Sequence, residues 1–401
     1  MKKKLVVCGG GSSAHTLIPL LQGSIFDVYV FTSRPQNWAN RIDLEWRNPS
    51  GEILGAYCGD IVKASNNPEE LFKDADYVVL CMPVHKYQTG LAEIAPYISR
   101  SKTVCIGTVY GQGGFNWMVD EIRSKYNLTN IVTFAFGLIP WICRIAEYGH
   151  KGITYGCKSV NYAATYPKSY FKQIDEEFFE QICYKWFKKG QVKQSDNFIS
   201  LTLSVDNQII HTSRCFGLYK VYGKTWKCKT DVPWFYRDYD DISAQLLADL
   251  DCDYSKVREM LKKLYPAKDF SYMLDYLALE RFSYQSQNTD VKESFVNSQT
   301  LVSIQTPVIQ NSEGLWELDR NYRFFLDDIY FGNCIAKWIA EKLNIKTPTI
   351  DQILHWAQEV RHENIIDNEN HLVYNSSDEY SLVKSGYPCH YGFKTIDDII
   401  D

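Results

Sequence analysis

Lys4-Leu5-Val6-Val7-Cys8-Gly9-Gly10-Gly11-Ser12-Ser13-Ala14 is a short apolar run followed by three glycines, and His15-Thr16-Leu17-Ile18-Pro19-Leu20-Leu21 continues it with apolar residues at helical spacing. The pattern reads as a buried strand that turns sharply into a helix. Gly9, Gly11 and Ala14 stand at the three small-residue positions of the G-x-G-x-x-G/A dinucleotide fingerprint. The first allows a tight turn and the second lets a pyrophosphate approach the backbone. The third lets the helix pack close to the strand, so that its N-terminal N–H groups face the phosphates. Glycine-rich turns are common, so the position between strand and helix carries the expectation of a dinucleotide-binding domain.

Outward from this turn, Asp27-Val28-Tyr29-Val30-Phe31 reads as the second strand of a β-α-β unit. Where an acidic residue would hold the ribose hydroxyls of NAD, the chain has Thr32-Ser33-Arg34. Hydroxyls and a guanidinium suit a 2′-phosphate, which favours NADP(H) and leaves NAD(H) possible. The alternative is that Arg34 is a solvated loop residue. Residues 45–54 carry a Pro-Ser-Gly turn and read as a hairpin insertion. Further strands are expected at 76–83, 103–107 and 131–135, with two antiparallel strands across 152–165 and an amphipathic helix across 175–189. Alternating strands and helices predict an α/β Rossmann-type domain with an extended sheet. The expected cofactor contacts are Gly9, Gly11, Ser12, Ser13 and Ala14, then Thr32, Ser33 and Arg34, and Pro83 at a strand end facing the crevice.

Composition bounds the rest. The chain has 401 residues, 45% apolar and 23% charged, as in an ordinary globular protein. A net charge of −5 argues against nucleic acid as a partner. The twelve cysteines are scattered, without metal-ligand spacing, and read as reduced cytosolic thiols; no metal is expected. No secretory signal is visible and no apolar run approaches the ~18 residues of a membrane span, so a cytoplasmic protein with no membrane partner is expected.

Beyond residue 198 helical periodicity dominates, most clearly over 244–250, 254–264, 272–281, 333–343 and 350–361, the last opened by a Thr349…Gln352 capping box. The expected domains are therefore 1–198 for the dinucleotide and 199–401, helical, for substrate, with substrate in the cleft between them. A hydride-transfer reaction needs a proton donor and acceptor, a group to orient it, and a cation for a substrate carboxylate. His211 stands out, with Asn207 one turn before it. It reads either as a buried structural histidine or as the acid–base group, because nothing local names its partner. Arg323 and Asp328 offer a carboxylate clamp and a base-orienting acid, or else a salt bridge within one segment. The aromatic run 232–239 reads as packed core or as part of a substrate pocket.

At these residues the chain resembles the octopine (opine) dehydrogenase family over nearly its whole length. Residues 8–17 are similar to the family's opening, Gly111-Gln112-Gly113-Gly114-Phe115 to its Gln-x-Gly-Phe loop, and 138–144 to its Leu-Pro-Trp-x-Cys-Arg segment. Asn207-Gln208-Ile209-Ile210-His211 resembles the catalytic histidine segment, with Thr212 in place of the usual proline. Arg323 to Gly332 is similar to the Arg…Glu-Asp-Ile-Pro-x-Gly motif, with Asp327 for Glu and Tyr330 for Pro, and 391–396 to the closing Tyr-Gly-Phe-x-Thr signature. The resemblance implies a Rossmann domain followed by an all-helical opine dehydrogenase domain. It also implies NAD(P)H-dependent reductive condensation of an amino acid with an α-keto acid, usually pyruvate, by a monomer or homodimer. It makes His211 the acid–base group, Asp328 its orienting partner and Arg323 the carboxylate clamp. Gln112 and Cys143 become contacts to substrate or nicotinamide, and Asn207 a substrate contact or a helix cap. A glycerol-3-phosphate or ketopantoate-type dehydrogenase is the enzyme alternative, although those enzymes use a lysine. A non-catalytic NADP(H) sensor is the alternative outside enzymes.

Overall fold

Val6, Val7 and Cys8, all buried, end strand β1 (Lys3–Cys8) at the centre of an eight-stranded sheet. On one side β1 pairs in parallel with β2 (Phe26–Phe31), which pairs with β5 (Lys63–Ser65). On the other side come β6 (Tyr77–Leu80), β7 (Val104–Thr108) and β8 (Ile131–Phe136), again all parallel. The order β5-β2-β1-β6-β7-β8 is that of a Rossmann fold, and its direction reverses between β1 and β6. Two strands extend it: β11 (Val160–Tyr166), antiparallel to β8, and β12 (Gln191–Gln194), parallel to β11. Helix α1 (Ser12–Leu20) follows β1, while α2 (Tyr87–Ile94) and α3 (Phe115–Lys125) form the crossovers after β6 and β7.

A second sheet, in the order β4-β3-β10-β9, covers the outer face of α1. It is built from β3 (Arg41–Arg47), β4 (Ile53–Asp60), β9 (Trp141–Glu147) and β10 (Lys151–Cys157). Enclosed on both sides, α1 is buried continuously from Ala14 to Leu20, and Leu17 and Ile18 join Ile42, Leu44 and Trp141 in one core. The hairpin read from residues 45–54 is β3–β4. The strands expected across 152–165 do exist, but they do not pair with each other. β10 lies in the small sheet and β11 in the large one. The helix expected over 175–189 is broken into a wide turn at Asp175–Phe179 and short pieces, because Cys183 leaves the helical conformation.

The computed structural model describes residues 2–373 and 385–400. They form two compact units: Met1–Thr202 with Asp269–Tyr272 and Phe282–Gln285, and Leu203–Lys268 with Met273–Arg281 and Ser286–Asp401. The second unit is helical apart from a small hairpin, Val308–Gln310 with Trp316–Leu318. Its main helices are α4 (Asn207–Tyr222), α5 (Asp241–Leu264), α6 (Tyr276–Tyr284, in this unit as far as Arg281), α7 (Cys334–Lys342) and α8 (Pro348–Arg361). The two segments read at 244–250 and 254–264 are one helix, α5. No described helix is long and apolar enough to cross a membrane.

The Thr349…Gln352 box does not form. Helix α8 starts earlier, with Pro348 in its first turn, and the N–H groups of Thr349 and Ile350 donate to Asp253 Oδ2 at 2.7 and 3.2 Å. A buried carboxylate from α5 thus caps α8, supplying the acceptor that a local side chain would otherwise provide. Asp253→Ala should lower stability by about 1–3 kcal/mol, read as a drop in urea midpoint at unchanged m. Lys256→Ala, which removes only the exposed ion-pair partner of Asp253, should change it by no more than about 1 kcal/mol. Equal effects of the two would show that the ion pair, not the cap, matters.

Candidate active site

The glycine turn adopts the geometry its composition requires. Gly9 has φ of +106°, and a Cβ there would stand 2.6 Å from the Cys81 carbonyl oxygen, so no other residue fits. A Cβ on Gly11 would meet only that same oxygen, at 3.5 Å, which leaves the backbone open on its outer side. This open side faces a cavity of about 800 Å³ at the C-terminal ends of β1, β2 and β6. Gly9, Gly11, Thr32, Ser33 and Arg34 line it. Ser12, Ser13 and Ala14 form the first turn of α1, Ala14 fully buried, and are not among the cavity's lining residues; Met82 lines the wall where Pro83 was expected. Lys86, Glu93 and Tyr148 are lining residues that the sequence did not single out. Among the described residues, neither Arg34 nor Lys86 is held in an ion pair. An open glycine backbone with two unpaired cations suits a dinucleotide carrying several phosphate charges.

Gln112, also in this unit, is fully buried; its Nε2 donates to the Gly137 carbonyl at 3.2 Å. Cys143 lies on β9 in the core of the same unit. Burial pushes the Cys143 and Cys8 thiols up, and that of Cys81 up to about 12, so all three stay protonated at neutral pH.

The second unit assembles the acid–base group. Helix α4 carries His211, and the segment from Arg323 to Asn333 lies against it. That segment is a short helical turn, Arg323–Leu326, followed by a wide turn, Ile329–Asn333. A Cβ on Gly332 would lie 2.3 Å from Cγ of Gln208, so glycine is what lets this segment come so close to α4. Asn333 Nδ2 fastens the contact, donating to the carbonyls of Asp328 at 3.1 Å and Gln208 at 3.3 Å.

One turn further along α4, His211 Nδ1 and Asp328 Oδ2 are 2.7 Å apart, and both residues are almost wholly out of water. The Phe324 ring stacks on the imidazole, with centroids 3.7 Å apart and planes at 21°. Arg323, half-buried, places its guanidinium 5.0 Å from the ring of its neighbour Phe324. Among the described residues that guanidinium makes no hydrogen bond or ion pair. Tyr236 Oη lies 3.1 Å from His211 Nε2, so the aromatic run 232–239 reaches the site itself. Asn207 is the first residue of α4, and Asp206 holds the capping position, accepting from the Asn207 N–H at 2.5 Å. Of the two readings of Asn207, the cap is therefore excluded.

Burial, and next the positive charge of Arg323, pull the His211 pKa well below 6.5. Burial acts in the opposite sense on Asp328 and pushes its carboxyl up, against the pull of Arg323. The free imidazole is therefore neutral at pH 7. With Asp328 ionised, Nδ1–H donates to the carboxylate and Nε2 presents its lone pair.

Comparison with known proteins agrees with this architecture. Residues 194–361 match the family described as NAD/NADP octopine/nopaline dehydrogenase, alpha-helical domain. Over its full length the chain is 24% identical to an opine dehydrogenase of Haliotis discus hannai, with 100% of both chains covered. It is also 24% identical to an octopine dehydrogenase of Pecten maximus, covering 100% of this chain and 99% of that one. Its fold superposes with a TM-score of 0.79 on octopine dehydrogenase solved with NADH and L-arginine, at 22% identity, over 100% of this chain and 98% of that one. The chain is thus similar from end to end to opine and octopine dehydrogenases, and residues 194–361 match that family's helical domain. Its sheet order is that of a Rossmann domain, and the helical domain model falls largely on the second, helical unit.

The electrostatic link from Arg323 to His211 can be measured without substrate. Arg323→Gln removes a positive charge that opposes protonation of the imidazole, so the His211 pKa should rise. A ring-proton NMR titration, with His211→Asn to assign the resonance, reads this directly. A pKa that stays put or falls would mean that Arg323 does not act on His211.

Proposed function

We propose that the protein is an opine dehydrogenase that joins an amino acid to an α-keto acid, with pyruvate as the keto acid, and reduces the resulting imine. The observation that carries this is the buried His211–Asp328 pair beside an unpaired arginine, in a chain aligned end to end with opine and octopine dehydrogenases. A nicotinamide dinucleotide, when bound, would supply the hydride that reduces the imine. Everything else falls to the chain.

Arg323 binds the keto acid carboxylate, a charge-assisted contact that fixes the carbonyl in one orientation. The amino acid arrives as an ammonium ion, which cannot attack a carbonyl. His211, neutral because it is buried, accepts that proton at Nε2, and Asp328 stabilises the imidazolium. The freed amine attacks the keto carbon, and the same Nε2–H protonates the oxygen to a hydroxyl; His211 then takes a second proton from the carbinolamine nitrogen and passes it to that hydroxyl, which departs as water and leaves a protonated imine. After reduction His211, reprotonated from solvent, supplies a proton to the secondary amine. Tyr236, at hydrogen-bond distance from Nε2 in the free protein, must yield this position or share it as substrate enters. Gln112, Cys143 and Asn207 remain candidate contacts to substrate or nicotinamide. For the cofactor we favour NADP(H), because β2 ends in Thr32-Ser33-Arg34 with no carboxylate and Arg34 is free to meet a 2′-phosphate.

The direct test is an initial-rate screen of NADPH and NADH with pyruvate against a panel of amino acids, with the N-(carboxyethyl) product identified by mass spectrometry. His211→Ala should lower kcat by about two to four orders of magnitude. Arg323→Gln should raise the pyruvate KM about 10- to 100-fold. Oxidation of the opine needs His211 as a base, so its kcat/KM should climb with pH through a value below 6.5 and then level off. Absence of turnover with every pair, or an unchanged rate in His211→Ala, would sink the proposal.

A further inference from the structure

A hairpin turn from the small sheet reaches the cofactor cavity. Tyr148 stands between β9 and β10, and its hydroxyl would lie 2.4 Å from a Cβ on Gly10, so it overhangs the glycine turn. The Arg34 guanidinium sits 4.3 Å above the Tyr148 ring, and both residues line the cavity.

The position of Tyr148 is fixed by its neighbour. The Gly149 N–H donates to His15 Nε2 at 2.7 Å, while His15 Nδ1 contacts the Gly11 carbonyl at 3.0 Å. One imidazole thus bridges the glycine turn and the hairpin turn. This requires a neutral ring with its proton on Nδ1, and burial keeps the His15 pKa low. Gly149 has φ of +76°, and a Cβ there would stand 1.9 Å from the Asn37 carbonyl oxygen, so the turn admits only glycine. Its own carbonyl accepts from the Ala39 N–H at 3.0 Å, which ties the hairpin to the loop carrying Arg34. Trp38 completes the support, 4.8 Å from the His15 ring and edge-on to Tyr148 at 5.8 Å.

We propose that Tyr148 is a positioning residue for cofactor choice: its ring holds the Arg34 guanidinium at the cavity so that the phosphate on an adenosine ribose is met by a pre-placed cation. An exposed arginine on a loop loses side-chain entropy when it binds an anion, and an aromatic shelf removes part of that loss beforehand. A flat ring is also a partner that leaves all five guanidinium N–H donors free, which a carboxylate partner would not. The inference rests on the assignment of Arg34 to a 2′-phosphate.

The test is a set of fluorescence titrations of full-length protein with NADPH and with NADH, which need neither substrate nor turnover. Arg34→Gln should weaken NADPH at least tenfold and change NADH by less than about threefold. Tyr148→Ala should weaken NADPH about 2- to 30-fold with little effect on NADH, and Tyr148→Phe, which keeps the ring, should behave as wild type. In the Arg34→Gln background, Tyr148→Ala should have almost no further effect on NADPH, because the two residues act as a unit. If Tyr148→Ala weakens both cofactors equally, or keeps its full effect without Arg34, the ring does not act through Arg34 and the proposal is overturned. If Arg34→Gln leaves NADPH binding unchanged, it is the 2′-phosphate assignment that has failed.

Discussion

The helical unit depends on bringing an imidazole and a carboxylate to 2.7 Å in a place without water. Taking either charge out of water is costly, so the pair exists only because its surroundings leave no alternative arrangement. Gly332 removes the side chain that would keep the Asp328 segment off α4, and Asn333 closes the gap by bonding carbonyls from both sides. Phe324 covers the face of the imidazole and excludes solvent from it. The result is a histidine held in one orientation, neutral at rest, and ready to accept a proton from an incoming ammonium group. A solvent-exposed histidine would be partly protonated and free to turn.

Much of the dinucleotide domain was legible because its signals are local. The glycine turn, the apolar strands and the hairpin at 45–54 each depend on neighbours a few residues away. What was misread depends on distant partners. The start of α8 is set by Asp253, some ninety-five residues earlier, and no pattern around Thr349 reveals that. The strands β10 and β11 are adjacent in sequence yet belong to different sheets, and alternation alone does not say which neighbour a strand will find. The acid–base pair is the extreme case, since 117 residues separate its members. The residues themselves could offer His211 as an acid–base group and Asp328 as a base-orienting acid, but not choose between that and a structural histidine with a local salt bridge; the resemblance in ordered motifs favoured the first. The run that contains Tyr236 stayed open between core and pocket, because an aromatic side chain that packs and one that also bonds a buried imidazole look alike in sequence.

The arginines separate structural from ligand-directed charge more sharply than any motif. Arg214, fully buried, is saturated: it donates to the carbonyls of Phe235, Trp234 and Asp238, to the Asp240 carboxylate and to Ser243. Arg258 is held through Nε and Nη1 by the Leu203 carbonyl, Asp251 and Ser255, and only its buried Nη2 lacks a partner among the described residues. Such arginines fix loops, and a ligand anion does not displace donors already engaged in low dielectric. Arg34 and Arg323 are built differently, each lying against an aromatic face and each without a carboxylate or carbonyl partner. An aromatic face gives a cation modest stabilisation and positional restraint while leaving its fork unoccupied. Among the arginines of the described residues the same device is found in both units. In one it stands beside the glycine turn, where a phosphate is proposed, and in the other beside His211, where a carboxylate is proposed. A cation kept in place but unsatisfied is a site whose missing partner is an anion, and that is the class of ligand the proposed reaction brings to both.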